Sequence, residues 1–93
     1  MIIGSVRCEL LIYNVHSLKE KRSVLKSVQT RLKQRFNLSV AETDFQDVWQ
    51  RAELSIVTVG NTRTICEKEL QRATALIDSE ERAERTLTDY EWL

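Results

Sequence analysis

The sequence predicts an α+β fold in the order strand, helix, strand, strand, helix, strand. Three observations carry this expectation. Residues 2–13 and 49–59 alternate with the period of two that a half-buried strand requires. Residues 17–36, and the stretch that follows Gly60-Asn61, repeat their apolar residues at helical spacing behind a residue suited to capping. The 93 residues include no proline and only two glycines, so the elements run unbroken and the connections are short.

The first strand, Ile2 to Tyr13, places Ile2, Gly4, Val6, Cys8, Leu10 and Ile12 on one nearly unbroken apolar face. Ile3, Ser5, Arg7, Glu9, Leu11 and Tyr13 form a mixed face opposite. Ser17 and Glu20 then match the S-x-x-E capping box, in which the hydroxyl caps an orphan amide and the carboxylate reaches back. Leu18, Val24, Leu25, Val28, Leu32 and Phe36 make the buried stripe of the helix that follows, and Asn37 is suited to its C-terminal cap. Leu38 to Phe45 reads as a second, more polar strand, and residues 44–47 as a turn.

Trp49 to Val59 is the third strand. Ala52, Leu54, Ile56 and Thr58 share one face; Trp49, Arg51, Glu53, Ser55, Val57 and Val59 share the other. Asn61 or Thr62 caps the second helix, whose stripe is Ile65, Cys66, Leu70, Ala73, Leu76 and Ile77. The acidic run from Asp78 to Glu84 ends it, and Thr86 to Leu93 forms the last strand. Right-handed crossovers turn this order into a ferredoxin-like βαββαβ sandwich. The apolar first and third strands take the middle of the sheet, giving the order 4-1-3-2, with both helices on the Cys8 face. The length fits a single domain over residues 1–93.

With 42% hydrophobic and 30% charged residues the composition is that of a globular protein. The net charge is zero but unevenly placed. Residues 17–36 hold seven basic and one acidic residue, a balance of +6; residues 37–93 hold six basic and twelve acidic, a balance of −6. A split of this kind suits a surface that meets an anion, or a second copy of the chain. No apolar run is long enough to span a bilayer, the start lacks the basic region of a signal peptide, and Cys8 and Cys66 read as reduced core thiols. These features predict a cytoplasmic protein with no membrane partner.

Three stretches resemble the bacterial YlxP-like family of small domains of unknown function: SLKEKRSVLKS in the first helix, FNLSVAETDFQDVWQRAELSIVTVGN through the hairpin, and YEWL at the end. The resemblance covers nearly the whole chain. It implies a ferredoxin-like fold. It also implies a link with translation or ribosome maturation, because genes of this family commonly lie between those of a translation initiation factor and a ribosome-binding factor. It carries over no catalytic residue.

The leading candidate site is the basic stripe Lys19, Arg22, Lys26 and Lys33. At 100° per residue the four heads fall within about 60° of one another, beside the apolar stripe, and can track the phosphates of an RNA strand. A second candidate is the outer face of the sheet, where Leu11, Tyr13, Trp49, Val57 and Val59 suggest an interface between copies of the chain. The third strand lacks the aromatic signature with which RNA-binding ferredoxin-like domains stack bases.

No cofactor, metal or small-molecule substrate is expected. Asp44, Asp47 and His16 have ligand chemistry, but nothing in the sequence brings them together. The loop Asn14-Val15-His16-Ser17 lacks the glycines and arginine with which acylphosphatases of this fold hold an anion. No nucleophile stands beside a base, since Ser17 serves as a cap and both cysteines face the core. The expected role is a non-catalytic accessory that touches RNA or a ribosomal component through the first helix. The alternative is a homo-oligomeric protein-interaction module without nucleic-acid binding.

Overall fold

A computed structural model describes residues 1–93. Its elements are β1 (Ile2–Ile12), α1 (Leu18–Arg35), β2 (Ser39–Asp44), β3 (Arg51–Gly60), α2 (Arg63–Asp78) and β4 (Ala83–Trp92). The strands form one antiparallel sheet of order β2-β3-β1-β4. Read from its other edge, this is the predicted 4-1-3-2.

One sheet face carries the core. Val6, Cys8, Leu10 and Ile12 of β1 and Ala52, Leu54 and Ile56 of β3 are buried there. Val24, Leu25, Val28 and Leu32 of α1 and Leu70, Ala73, Leu76 and Ile77 of α2 pack onto them. The register sets Cys8 opposite Leu54, so the two central strands present the same face. Gly4 lies opposite Trp92, and a Cβ there would stand 2.5 Å from the indole ring. The missing side chain is what lets Trp92 cover the end of the core.

Both helix starts follow from their caps. The Glu20 amide donates to Ser17 Oγ at 3.1 Å. The reciprocal bond of the box is displaced by one residue, with Glu20 Oε2 accepting from the His16 amide at 2.7 Å. Ser17→Ala removes one capped amide and no core contact, so it is expected to cost about 1 kcal/mol in a urea melt. A melt identical to wild type would show the cap to be idle. Thr62 caps α2, accepting from the Ile65 amide.

Four expectations need correction. The C-cap of α1 is Phe36, not Asn37; the Asn37 amide donates instead to Glu69 of α2. Ile65 is half exposed because it lies about 100° around α2 from Cys66, and Thr74 takes the inward place. β4 begins at Ala83, three residues earlier than predicted, inside the acidic run. β3 begins at Arg51, so Trp49 belongs to a loop. Phe45 has a left-handed backbone (φ 62) and its carbonyl accepts from the Val48 amide, so the chain rejoins the sheet only at Gln50.

The acidic run does more than end α2. Glu80, 8% exposed, accepts from the Arg82 amide and side chain and from Arg31 Nη2 of α1 at 2.9 Å, tying α1 to the turn that follows α2. The Arg82 side chain first, then the Arg82 amide and Arg31, hold its carboxyl down at about 2 against the effect of burial. A carboxyl held below its ordinary value of 4.5 stabilises the fold fully above that pH. Its contribution is then lost as pH falls towards about 2. Urea melts across this range should show stability falling in wild type. They should show a shallower fall in Glu80→Gln, which starts from a lower value at neutral pH. Equal slopes would remove Glu80 from the acid response.

Candidate nucleic-acid interface

The predicted stripe lies in place. Lys19, Arg22, Lys26 and Lys33 are all exposed on α1. They run about 21 Å along the helix at 1.5 Å per residue. The helix stands where it does because its apolar stripe is held by the core, leaving these heads beside it in water.

Ion pairing elsewhere sharpens the charge split. Arg7, Lys21, Arg31, Arg51, Arg63, Arg72, Arg82 and Arg85 each have a carboxylate within 4 Å. The six remaining basic side chains are Lys19, Arg22, Lys26, Lys33, Arg35 and Lys68. Five of these six belong to α1. Internal pairing therefore consumes nearly all the positive charge outside α1 and leaves that of the stripe uncompensated.

Between α1 and the edge strand β2 runs a groove of about 260 Å³, lined by Arg22, Leu25, Lys26, Gln29, Thr30, Lys33 and Glu42. Three of the four stripe residues border it; Lys19 lies one turn earlier. Beneath it is Lys21, only 1% exposed, which sequence reasoning left out of the core. Its Nζ donates to the Phe45 carbonyl at 2.6 Å and lies 3.0 Å from Glu42 Oε2. The Glu42 contact is ionic rather than a directed hydrogen bond, for Oε2 is buried and accepts none. The signal was the helical phase: Lys21 falls about 40° from Leu25, within the apolar stripe. Glu42 likewise occupies an inward position, opposite Leu54.

The outer sheet face is not one apolar patch. Arg7 of β1 meets Glu53 of β3 at 3.4 Å and Asp89 of β4 at 3.1 Å. Thr43 of β2 donates to Glu53 at 2.6 Å, and Arg51 pairs with Glu9 at 3.0 Å. This polar band crosses all four strands and divides the predicted interface residues. Val57 and Val59 lie at one end, paired with Ser5 and Ile3. Leu11 and Tyr13 lie at the other, with Leu87 opposite Glu9 and Trp49 in the loop that meets β1 through the Gln50 carbonyl. Leu11, Tyr13, Trp49, Val57 and Val59 are each 39–47% exposed.

Cys8 and Cys66 are free and buried, and burial pushes the Cys8 thiol up to about 11, so it stays protonated at neutral pH. His16 is exposed, and Asp44 accepts from the Phe45 amide at the head of the hairpin loop. No group of three or more His, Cys, Asp or Glu side chains converges. No helix is long and apolar enough to cross a membrane.

Known proteins place the chain in a family. It is 50% identical over 91 residues to "Uncharacterized protein YlxP" of Bacillus subtilis (strain 168), covering 98% of this chain and 99% of that protein. Among solved structures it resembles "Structural Genomics, protein YJCS" with a TM-score of 0.62 at 11% identity, covering 96% of each chain. It also resembles a C-terminal segment of the alpha subunit of aIF2 from Pyrococcus abyssi, with a TM-score of 0.54 at 12% identity. That match covers 98% of this chain and 49% of the other. At such identities these structures speak for the fold alone. The sequence pattern of the family described as "Protein of unknown function (DUF503)" matches residues 3–90, and the chain belongs to that family.

Proposed function

We propose that the protein is a non-catalytic accessory factor that binds RNA, or an RNA-bearing part of the ribosome, through the basic face of α1. The observation that carries this reading is the pattern of ion pairing. Nearly every cation elsewhere is matched to a carboxylate, while Lys19, Arg22, Lys26 and Lys33 are left unpaired and aligned. Unpaired cations at successive turns contact phosphates without reading sequence. The choice of RNA rests on the family resemblance and its link with translation. The test is binding of the wild-type chain to single-stranded RNA across a salt series. Affinity should fall steeply, by about 0.7 log units per log unit of salt for each phosphate contact. Absence of binding at low salt would reject the reading.

One observation supports a second reading. Leu11, Tyr13, Trp49 and Leu87, each 39–47% exposed, gather at one end of the outer sheet face and suit contact with a second copy or another protein. The same salt series separates the two, because association through apolar side chains does not weaken as salt rises.

A further inference from the structure

The groove beside the stripe holds a residue that phosphate contact alone does not account for. Glu42 lies in the groove bordered by Arg22, Lys26 and Lys33, and a carboxylate among three cations weakens their hold on a phosphate chain. It pairs with none of them. Its ionic partner is Lys21, buried below, 3.0 Å from Oε2. No hydrogen bond reaches Oε2, which is buried, while the side chain as a whole keeps 19% of its surface exposed. With Oε2 buried against Lys21, Oε1 is the oxygen left to meet a ligand where Glu42 lines the groove. Leu25, 2% exposed, closes the bottom of the groove with little open surface, and Gln29 supplies an amide in the lining.

Resting on the RNA reading of α1, we propose that this groove takes one unstacked base of a single-stranded RNA. An exocyclic amine of that base donates to Glu42 while Arg22, Lys26 and Lys33 hold the flanking phosphates. At about 260 Å³ the groove is smaller than sites that enclose drug-sized ligands, and it suits a single flat ring. With no aromatic side chain in its lining, the ring lies against the guanidinium plane of Arg22. A carboxylate accepts from cytosine N4 or adenine N6. Uracil presents a carbonyl oxygen at the same place and flanks its one N–H with two oxygens that repel a carboxylate. The groove therefore selects amino-bearing bases. A duplex has its amines committed to base pairs and its bases stacked, so it leaves the groove empty and gains only the phosphate contacts.

The experiment compares the wild-type chain on oligo(C) and oligo(U) of equal length and on duplex RNA, at one low salt concentration. Cytosine and uracil share ring size, so the ratio isolates the amine. Oligo(C) should bind about fivefold tighter than oligo(U), the worth of one hydrogen bond, and duplex more weakly than oligo(C). Glu42→Gln, whose amide can also donate to a carbonyl, should bring the ratio to about one and leave the salt slope unchanged. A thermal melt checks that the variant folds with Lys21 unpaired; where it does not, the wild-type ratio alone decides. Equal binding of oligo(C) and oligo(U), or tighter binding of duplex, overturns the inference and leaves phosphate tracking by α1 standing. No binding of any RNA overturns both.

Discussion

Lys21→Ala is expected to destabilise the protein by about 3 kcal/mol, because it removes one partner of a buried charge pair and leaves a cavity at its site. Lys21 is 1% exposed and connects three elements: α1 through its backbone, β2 through Glu42, and the hairpin loop through the Phe45 carbonyl. Without it the Phe45 carbonyl keeps only the Val48 amide as a donor, and Glu42 keeps an inward-facing charge with no cation beneath it. In a domain of this size each kcal/mol lowers the melting temperature by about 4–8 °C, so the loss is easily read. Lys21→Met keeps the buried stem and should cost about half as much, since Glu42 is 19% exposed and can recover water. An alanine variant that melts within about 0.5 kcal/mol of wild type would show that Lys21 is a tolerated charge and not the link between α1 and the hairpin.

Lys21 also marks the boundary of what was legible in the sequence. Where burial follows apolar periodicity, the reading holds: β1 and β3 alternate cleanly, and their inward residues are the core. Where a charged residue takes an inward place, as Lys21 and Glu42 do, the pattern reads it as surface. Only the helical phase of Lys21 and the strand phase of Glu42 reveal the pair, and a phase argument pairs residues only once the register of β2 on β3 is known. The polar band that divides the outer face was hidden for a related reason. Leu11, Tyr13, Val57 and Val59 share the predicted face, but the band that separates them depends on which charges stand opposite one another. Arg7 to Glu53, Arg7 to Asp89 and Arg51 to Glu9 all cross between strands. Trp49 was lost from β3 because the turn predicted at residues 44–47 runs on, with the Phe45 carbonyl accepting from the Val48 amide and the chain rejoining the sheet only at Gln50. The basic stripe was fully legible, since it lies on one helix and needs no long-range contact to assemble.

Changing Lys19, Arg22, Lys26 and Lys33 together to Gln is expected to leave the fold intact and to flatten the salt dependence of RNA binding. The fold should survive because all four side chains are exposed and unpaired, and glutamine is nearly as good a helix former. Relief of the like-charge pair Arg22 and Lys26, one turn apart, offsets part of the small propensity loss. Removing four positive charges takes the chain from a net charge of 0 to −4. If each head holds one phosphate of a single strand, the log–log slope should become shallower by about 3 units. Between about 50 and 200 mM salt, wild-type affinity should then fall about 50-fold further than that of the variant. Lys68→Gln, on α2 and away from the stripe, is the matching control and should keep the wild-type slope. If the quadruple variant binds with the wild-type slope, the phosphates are held elsewhere. The uncompensated charge on α1 would then be a solvated face, and the apolar cluster of Leu11, Tyr13, Trp49 and Leu87 would become the surface to test.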